Sequence, residues 1–466
     1  MNLKSKIYSL LGISPLSGEE LSRKAALASE EIEKRHSRSH DDVELIVTDE
    51  YKKVIELIEH KIPAIFVTGS AGTGKSQLLR FIKSAKKGLN IVYLAPTGVA
   101  AVNIGGQTIH SFFKFPPKLI LPEDIEKVND RRLYNRMDLL VIDEISMVRA
   151  DMVDAIDYFL RVNRDNDQPF GGCQLLMVGD LFQLPPVVRS GEVKKYLESK
   201  YRTPYFFSAE ALADIPIAPV ELKKVFRQND PEFVGILGKI RCGRFTQECL
   251  DKLNTRVIKN SSGQNMVTLA STNRLADKVN SNELEAIKSR SYTYTGKLEG
   301  KMTQDDNLPS PYQIDLKVGA QVMFTANNGN AWKNGTLGVI EELDNDKILV
   351  KTKEGSSTVV SVDRNTWEKY SYTYDSETNT IKARVVGKYT QFPLMLGWAI
   401  TIHKSQGKTL EKTKIDLTDR IFATGQLYVA LSRCKTLEGI TLTKPIKANY
   451  VKCDESIVRF YDSLFG

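Results

Sequence analysis

The chain has 466 residues, of which 41% are hydrophobic and 26% charged, as in a globular protein with large cores. Its net charge of +8 and pI of 8.9 permit a nucleic-acid partner without requiring one. Five scattered cysteines with no C-x-x-C pair argue against a disulfide framework and a zinc site, and no apolar run approaches the ~20 residues of a membrane span.

With no secretory h-region at its start, the chain is expected to be soluble and intracellular, in the cytoplasm or nucleoid if bacterial. Residues 1–40 form a polar, charged extension. Its Lys34, Arg35 and Arg38 suit either a solvated helix or an arm that touches DNA. A short amphipathic helix is predicted over 51–62 and a buried strand over 64–68. GSAGTGKS (69–76) follows, and then the helical spacing of 77–82. Strand, glycine-rich loop and helix are the context of a phosphate-binding loop. Glycines let several backbone N–H groups point at one anion, and the helix N-terminus adds its dipole. Gly69, Ala71, Gly72, Thr73, Gly74, Lys75, Ser76 and Gln77 are therefore the predicted nucleotide cradle. Lys75 would reach the β- and γ-phosphates, and Ser76 would hold magnesium.

Further strands are predicted over 90–95, 139–142 and 174–178, each ending in a polar loop. This describes a parallel α/β sheet with its ligands at the carboxyl ends of the strands. A second α/β pattern opens with a strand over 220–222, which leads to Phe226, Arg227 and Gln228. It continues with a strand over 266–270 and a helix near 275–287. From about 290 the texture changes to short, closely spaced strands, with Asn334-Gly335 as a hairpin turn and another turn over 344–346. A small inserted β-barrel is expected, because α/β texture returns at 398–402 and 425–433.

Phosphoryl transfer needs a held metal and a positioned water. Asp143 and Glu144, adjacent at a strand end, can divide that work: Asp143 for magnesium, Glu144 for the water. Gln183, after the next strand, could sense the γ-phosphate. Arg227 and Arg433 are candidate fingers whose contact would depend on closure of two units around the nucleotide. Small polar and aromatic residues on strand-end loops suggest a path for DNA: Pro96, Thr97, His110, Ser111, Phe112, Thr401, His403 and Lys404. Phe112 and Phe113 could equally be core. The sequence has no H-E-x-x-H, Cys/His cluster or G-x-S-x-G, so metalloprotease and α/β-hydrolase readings fall away.

The order of these motifs resembles the Pif (petite integration frequency) helicases, in the 5′-to-3′ branch of helicase superfamily one. The likeness runs from about 45 to 450: GSAGTGKS (69–76), APTGVAA (95–101), GGQTIHSFF (105–113), VIDEISMV (141–148), GDLFQLPPV (179–187), VFRQ (225–228), WAITIHKSQGKTL (398–410) and GQLYVALSRCKTLEGI (425–440). The resemblance implies two RecA-like P-loop domains, a small wedge insertion and an inserted SH3-like β-barrel. The first RecA-like domain would be 41–112 with 136–216, and the wedge 113–135. The second would be 217–289 with 392–466, and the barrel 290–391. It implies ATP and Mg2+ as cofactors, with Ser76 and Asp143 on the metal, and catalytic roles for Lys75, Asp143, Glu144, Gln183, Arg227 and Arg433. Single-stranded and tailed duplex DNA would be the partners of a monomer. The family usually carries an adenine-reading glutamine before the phosphate-loop strand, and TDEYKK (48–53) has none. The runner-up reading is an ATP-gated single-stranded-DNA clamp that does not unwind.

Overall fold

The computed structural model describes residues 46–466 apart from 117–118, 189–190, 259–265, 307, 329–330, 345–346, 353–357, 376, 379 and 419–422. The expectations for 1–40 and for the turn at 345–346 lie outside the described residues.

The first unit contains α1 (Asp49–Glu59), β1 (Ala64–Gly69), α2 (Lys75–Ala85), β2 (Ile91–Ala95), α3 (Gly98–Asn103), β3 (Gln107–Thr108), α4 (Ile109–Phe113), α5 (Arg132–Asn135), β4 (Leu139–Ile142), α6 (Ala150–Arg164), β5 (Gln174–Gly179), α7 (Gly191–Lys200) and β6 (Ile217–Leu222). Its strands form a parallel sheet in the order β3-β2-β4-β5-β1-β6. Every residue of β1 and β5 is buried, as expected of central parallel strands covered on both faces. The buried stripe of α1 (Tyr51, Val54, Ile55, Leu57, Ile58) packs with Leu78, Leu79, Phe81 and Ile82 of α2 on one face. α6 and the aromatic cluster around Phe112, Tyr134 and Phe159 cover the other.

β6 corrects the domain boundary read from sequence. The predicted strand over 220–222 does not open the second unit; β6 pairs with β1, Ala64 opposite Ile217, at the edge of the first sheet. Pro219 is tolerated there because an edge strand leaves one row of N–H groups unpaired.

The second unit continues with α8 (Pro231–Arg241), α9 (Gln247–Asn254), β7 (Val267–Ala270) and α10 (Asn273–Ala286). The β-rich stretch comprises β8 (Ser291–Thr295), β9 (Lys297–Gly300), β10 (Gln313–Lys317), β11 (Gln321–Phe324), β12 (Leu337–Leu343), β13 (Ile348–Thr352), β14 (Val359–Val362), β15 (Asn365–Asp375), β16 (Thr380–Gln391) and β17 (Leu394–Leu396). The chain then returns to α/β with β18 (Ala399–Thr401), β19 (Thr413–Ile415), α11 (Gln426–Leu431), β20 (Ile440–Leu442) and α12 (Glu455–Phe465). A second parallel sheet runs β18-β7-β19-β20. Between its halves lies an antiparallel sheet, β14-β13-β12-β11-β17, around Val322, Phe324, Trp332, Ile340 and Val350.

Two elements cross from the later sequence to the first unit. The β15–β16 hairpin buries Tyr372 in the first core, where its hydroxyl accepts from the Tyr93 amide of β2 at 3.0 Å. Gln107 Oε1 accepts from the Tyr372 amide, and Asn90 Oδ1 from that of Ile381. α12, expected in the second unit, packs on the first core instead: Phe460 stacks on Phe207 at 4.3 Å, and Tyr461 meets Phe182 edge-on. Among the described residues no helix is long and apolar enough to cross a membrane.

Candidate nucleotide site and DNA-side loops

The phosphate loop joins β1 to α2. Gly72 and Gly74 have φ of +86° and +87°, in the left-handed region that glycine adopts without strain. A Cβ on Gly72 would lie 2.5 Å from Arg227 Cβ, so the loop and the Arg227 segment touch. Lys75 Nζ donates to the carbonyls of Gly69 at 2.7 Å and Ser70 at 3.1 Å. Burial pulls the ammonium below the usual lysine range, although Asp180, Glu144 and Asp143 oppose it. A cation with two neutral acceptors, near three carboxylates, is poised for an anion. Tyr51, buried in α1, donates its hydroxyl to Gly74 O at 2.6 Å and so ties α1 to the loop. The amide oxygen Oε1 of Gln77, in the first turn of α2, is sealed from solvent with no hydrogen-bond partner.

β4 ends by delivering the two carboxylates. Burial and its neighbour Glu144 push the Asp143 carboxyl up to about 7, and burial raises Glu144 as well. Glu144 sits at φ +50°, an uncommon conformation for a residue with a Cβ, and its amide donates to Asp143 Oδ1 at 2.9 Å. Its Oε2 is sealed from solvent and makes no hydrogen bond. A hard divalent cation would relieve two crowded carboxylates, so Asp143, with the Ser76 hydroxyl at the start of α2, fits magnesium by donor chemistry.

The second unit supplies the opposing charge. Arg433 is 1% exposed and donates to Val429 O at 2.8 Å, Ser432 Oγ at 2.8 Å and Ser405 O at 3.3 Å. Burial and then Arg227 push its guanidinium down to about 9, with Glu144 pulling the other way. Arg227 donates to Thr409 Oγ1 at 3.0 Å and Ser432 O at 3.3 Å. Two guanidiniums that repel each other, facing a buried lysine and an unpartnered carboxylate oxygen, make a site that a polyanion with its metal would neutralise.

Gln183 lies between these groups. Its Nε2 donates to Asp180 Oδ2 at 3.2 Å, and its Oε1 accepts from Gln406 Nε2 at 3.0 Å. Asp180 is fully buried and also accepts from Arg241 Nε and Tyr428 OH, each at 3.1 Å. The Tyr428 hydroxyl in turn accepts from the Ala71 amide at 2.9 Å. Lys75, Asp143, Glu144, Gln183, Arg227 and Arg433 are thus brought to one place.

Reading the sequence alone missed Tyr51, Asp180, Arg241, Gln406 and Tyr428. One of them carried a signal. Arg241 falls four residues after Leu237 and eight after Phe233, on the buried stripe of α8, where a charge demands a partner.

The DNA-side candidates follow the carboxyl ends of β2, β3 and β18. Pro96 and Thr97 come directly after β2, and Thr97 Oγ1 caps α3 by accepting from Ala100 N at 3.3 Å. His110 is half-buried, and burial and Arg149 lower its pKa. Ser111 Oγ accepts from Gln107 Nε2 at 2.8 Å. Thr401 is buried and accepts from the Lys404 amide at 3.2 Å, while His403 and Lys404 are exposed. Phe112 is a correction. It is 3% exposed, with ring centroids of Phe113, Tyr134 and Tyr372 at 4.8, 5.5 and 5.9 Å, so it presents no free face to a base.

Residues 46–249 match the family model described as PIF1-like helicase. The ATP-dependent DNA helicase PIF1 of Mus musculus is 32% identical over 97% of this chain and 71% of its own length. The crystal structure of Bacteroides sp Pif1 in complex with ADP-AlF4 superposes with a TM-score of 0.83 at 37% identity, covering 90% of this chain and 97% of that one. Bacteroides Pif1 bound to ssDNA, with 38% identity and the same coverage, gives 0.64. A phosphate loop, a paired carboxylate and two arginines converge in a chain a third identical to these proteins over most of its length, and the chain belongs to the PIF1-like family of ATP-hydrolysing DNA helicases.

Proposed function

We propose that this helicase moves 5′ to 3′ along single-stranded DNA as a monomer and separates duplex or folded DNA, G-quadruplexes included, in genome maintenance. The observation that carries the motor reading is the convergence of Lys75, Glu144 and Gln183 with Arg227 and Arg433 from the opposing unit. Lys75 and the loop amides hold the β- and γ-phosphates. Asp143 and Ser76 would hold magnesium, which when bound would supply positive charge beside the phosphates. Glu144 takes a proton from the attacking water through its unpartnered Oε2. Gln183 senses the γ-phosphate, and the two arginines meet the charge that develops in transfer. Closure of the units on ATP and relaxation on release convert hydrolysis into stepping.

Single-stranded DNA crosses the strand ends at Pro96, Thr97, His110, Ser111, Thr401, His403 and Lys404, with Phe112 supporting from the core. Residues 113–135 act as the wedge, and the antiparallel unit folds as the SH3-like barrel. The difference in TM-score between the nucleotide-bound and ssDNA-bound relatives supports a DNA-dependent rearrangement.

The test is strand separation on duplexes with a 5′ or a 3′ single-stranded tail, with ATP and magnesium. Unwinding from the 5′ tail alone is expected. Unwinding from the 3′ tail would overturn the polarity, and DNA binding without unwinding would favour the clamp.

A further inference from the structure

We propose that Tyr428 is a positioning residue through which the loop 401–406, read above as DNA-side, acts on the phosphate loop. The inference rests on that reading of the loop. Four hydrogen bonds connect the two. Gln406, in the turn after β18, donates to Gln183 Oε1 at 3.0 Å, and Gln183 donates to Asp180 Oδ2 at 3.2 Å. Tyr428 OH donates to the same Asp180 oxygen at 3.1 Å and accepts from the Ala71 amide at 2.9 Å. A tyrosine hydroxyl can do both at once, being one donor and an acceptor.

The chain of bonds has little slack. Gln406 is fixed in its turn by the His403 carbonyl, which accepts from its amide at 3.1 Å. Asp180 is held from the other side by Arg241 Nε at 3.1 Å on Oδ1, and Arg241 is held by the rings of Phe182 and Tyr461 at 4.5 and 5.5 Å. α11, which carries Tyr428, is preceded by Gly425, where a Cβ would lie 2.2 Å from Gln183 O. Asp180, Gln183 and Tyr428 are each no more than 5% exposed, so water competes little for the bonds among them. A shift of the 401–406 loop therefore moves Gln183, redistributes the donors on Asp180 and changes what the Tyr428 hydroxyl offers Ala71. The Ala71 amide belongs to the nucleotide cradle, so the state of the loop reaches the phosphates without any residue touching both DNA and ATP.

The experiment compares ATP turnover with and without oligo-dT in the full chain for Tyr428→Phe, Gln406→Leu and the double variant. Tyr428→Phe keeps the ring and its packing. Gln406→Leu alters a half-buried loop residue and keeps the test open if Tyr428→Phe does not fold. Each single change is expected to cut the DNA stimulation ratio about tenfold, the size of one buried hydrogen bond that stabilises the stimulated state more than the resting one. The double variant should lose no more than either single one, because both break the same chain. A purely structural role would lower both rates together and leave the ratio unmoved. A ratio within about twofold of the unaltered protein in a folded variant, or losses that multiply in the double variant, would overturn the relay. Absence of DNA stimulation in the unaltered protein would instead overturn the functional reading beneath it.

Discussion

Lys75 is the residue on which hydrolysis is proposed to depend most. In the protein alone its ammonium rests on two loop carbonyls, and burial already disfavours its charge. A phosphate would supply the missing anion, so binding energy and charge stabilisation meet in one side chain. Lys75→Ala is expected to abolish measurable ATP turnover, as read by phosphate release; full turnover in that variant would remove the central assignment. Glu144→Gln tests a different step. The amide keeps the shape of the side chain but cannot accept a proton, so nucleotide should bind while hydrolysis falls by about 10²- to 10⁴-fold. Fluorescent-nucleotide binding alongside turnover separates the two effects, and normal hydrolysis would show that another group activates the water. These residues were legible in the sequence because each lies in the loop or helix start that follows a strongly apolar strand, at a fixed place in the α/β order. Tyr51 was not: a tyrosine on an amphipathic stripe reads as core, and its bond to Gly74 O depends on how α1 leans on the loop.

At the scale of elements, the β15–β16 hairpin shows where pattern reading stops. Its β-type sequence announced strands, but the alternation says nothing of what they pack against. The hairpin lays Tyr372 into the core of the first unit, where its ring meets Phe112 and its hydroxyl satisfies the Tyr93 amide at the sheet. This contact explains why Phe112 is core. The same limit applies to β6, whose short apolar run sits next in sequence to the second unit yet completes the first sheet. Tyr372→Ala should cost about 3–5 kcal/mol by cavity formation, and it leaves the Tyr93 N–H without its partner. Amide hydrogen exchange at Tyr93 should therefore speed up sharply, with a lower melting temperature. Exchange at the rate of the unaltered protein would mean that the hairpin is not docked there in solution.

At the scale of the whole molecule, neither unit alone carries all the residues proposed to act on the nucleotide. The first brings a lysine, two carboxylates and Gln183; the second brings Arg433, buried, repelled by Arg227 and with its guanidinium pulled down to about 9. The guanidinium stays charged at neutral pH, but burial and Arg227 make that charge less favourable than in water, and an anion between the units would offset this. Arg433 is thus best placed to act in the closed, nucleotide-filled arrangement rather than in either unit alone. Arg433→Ala should lower ATP turnover by about 10³- to 10⁵-fold, the range for an arginine that stabilises phosphoryl transfer. Affinity for single-stranded DNA, read by fluorescence anisotropy of a labelled oligonucleotide, should remain close to that of the unaltered protein, because Arg433 meets the 401–406 loop at the buried Ser405 and not at Thr401, His403 or Lys404. Loss of DNA binding together with turnover would show that Arg433 holds the fold of the second unit. Unchanged turnover would show that the two units do not close on the nucleotide through this side chain.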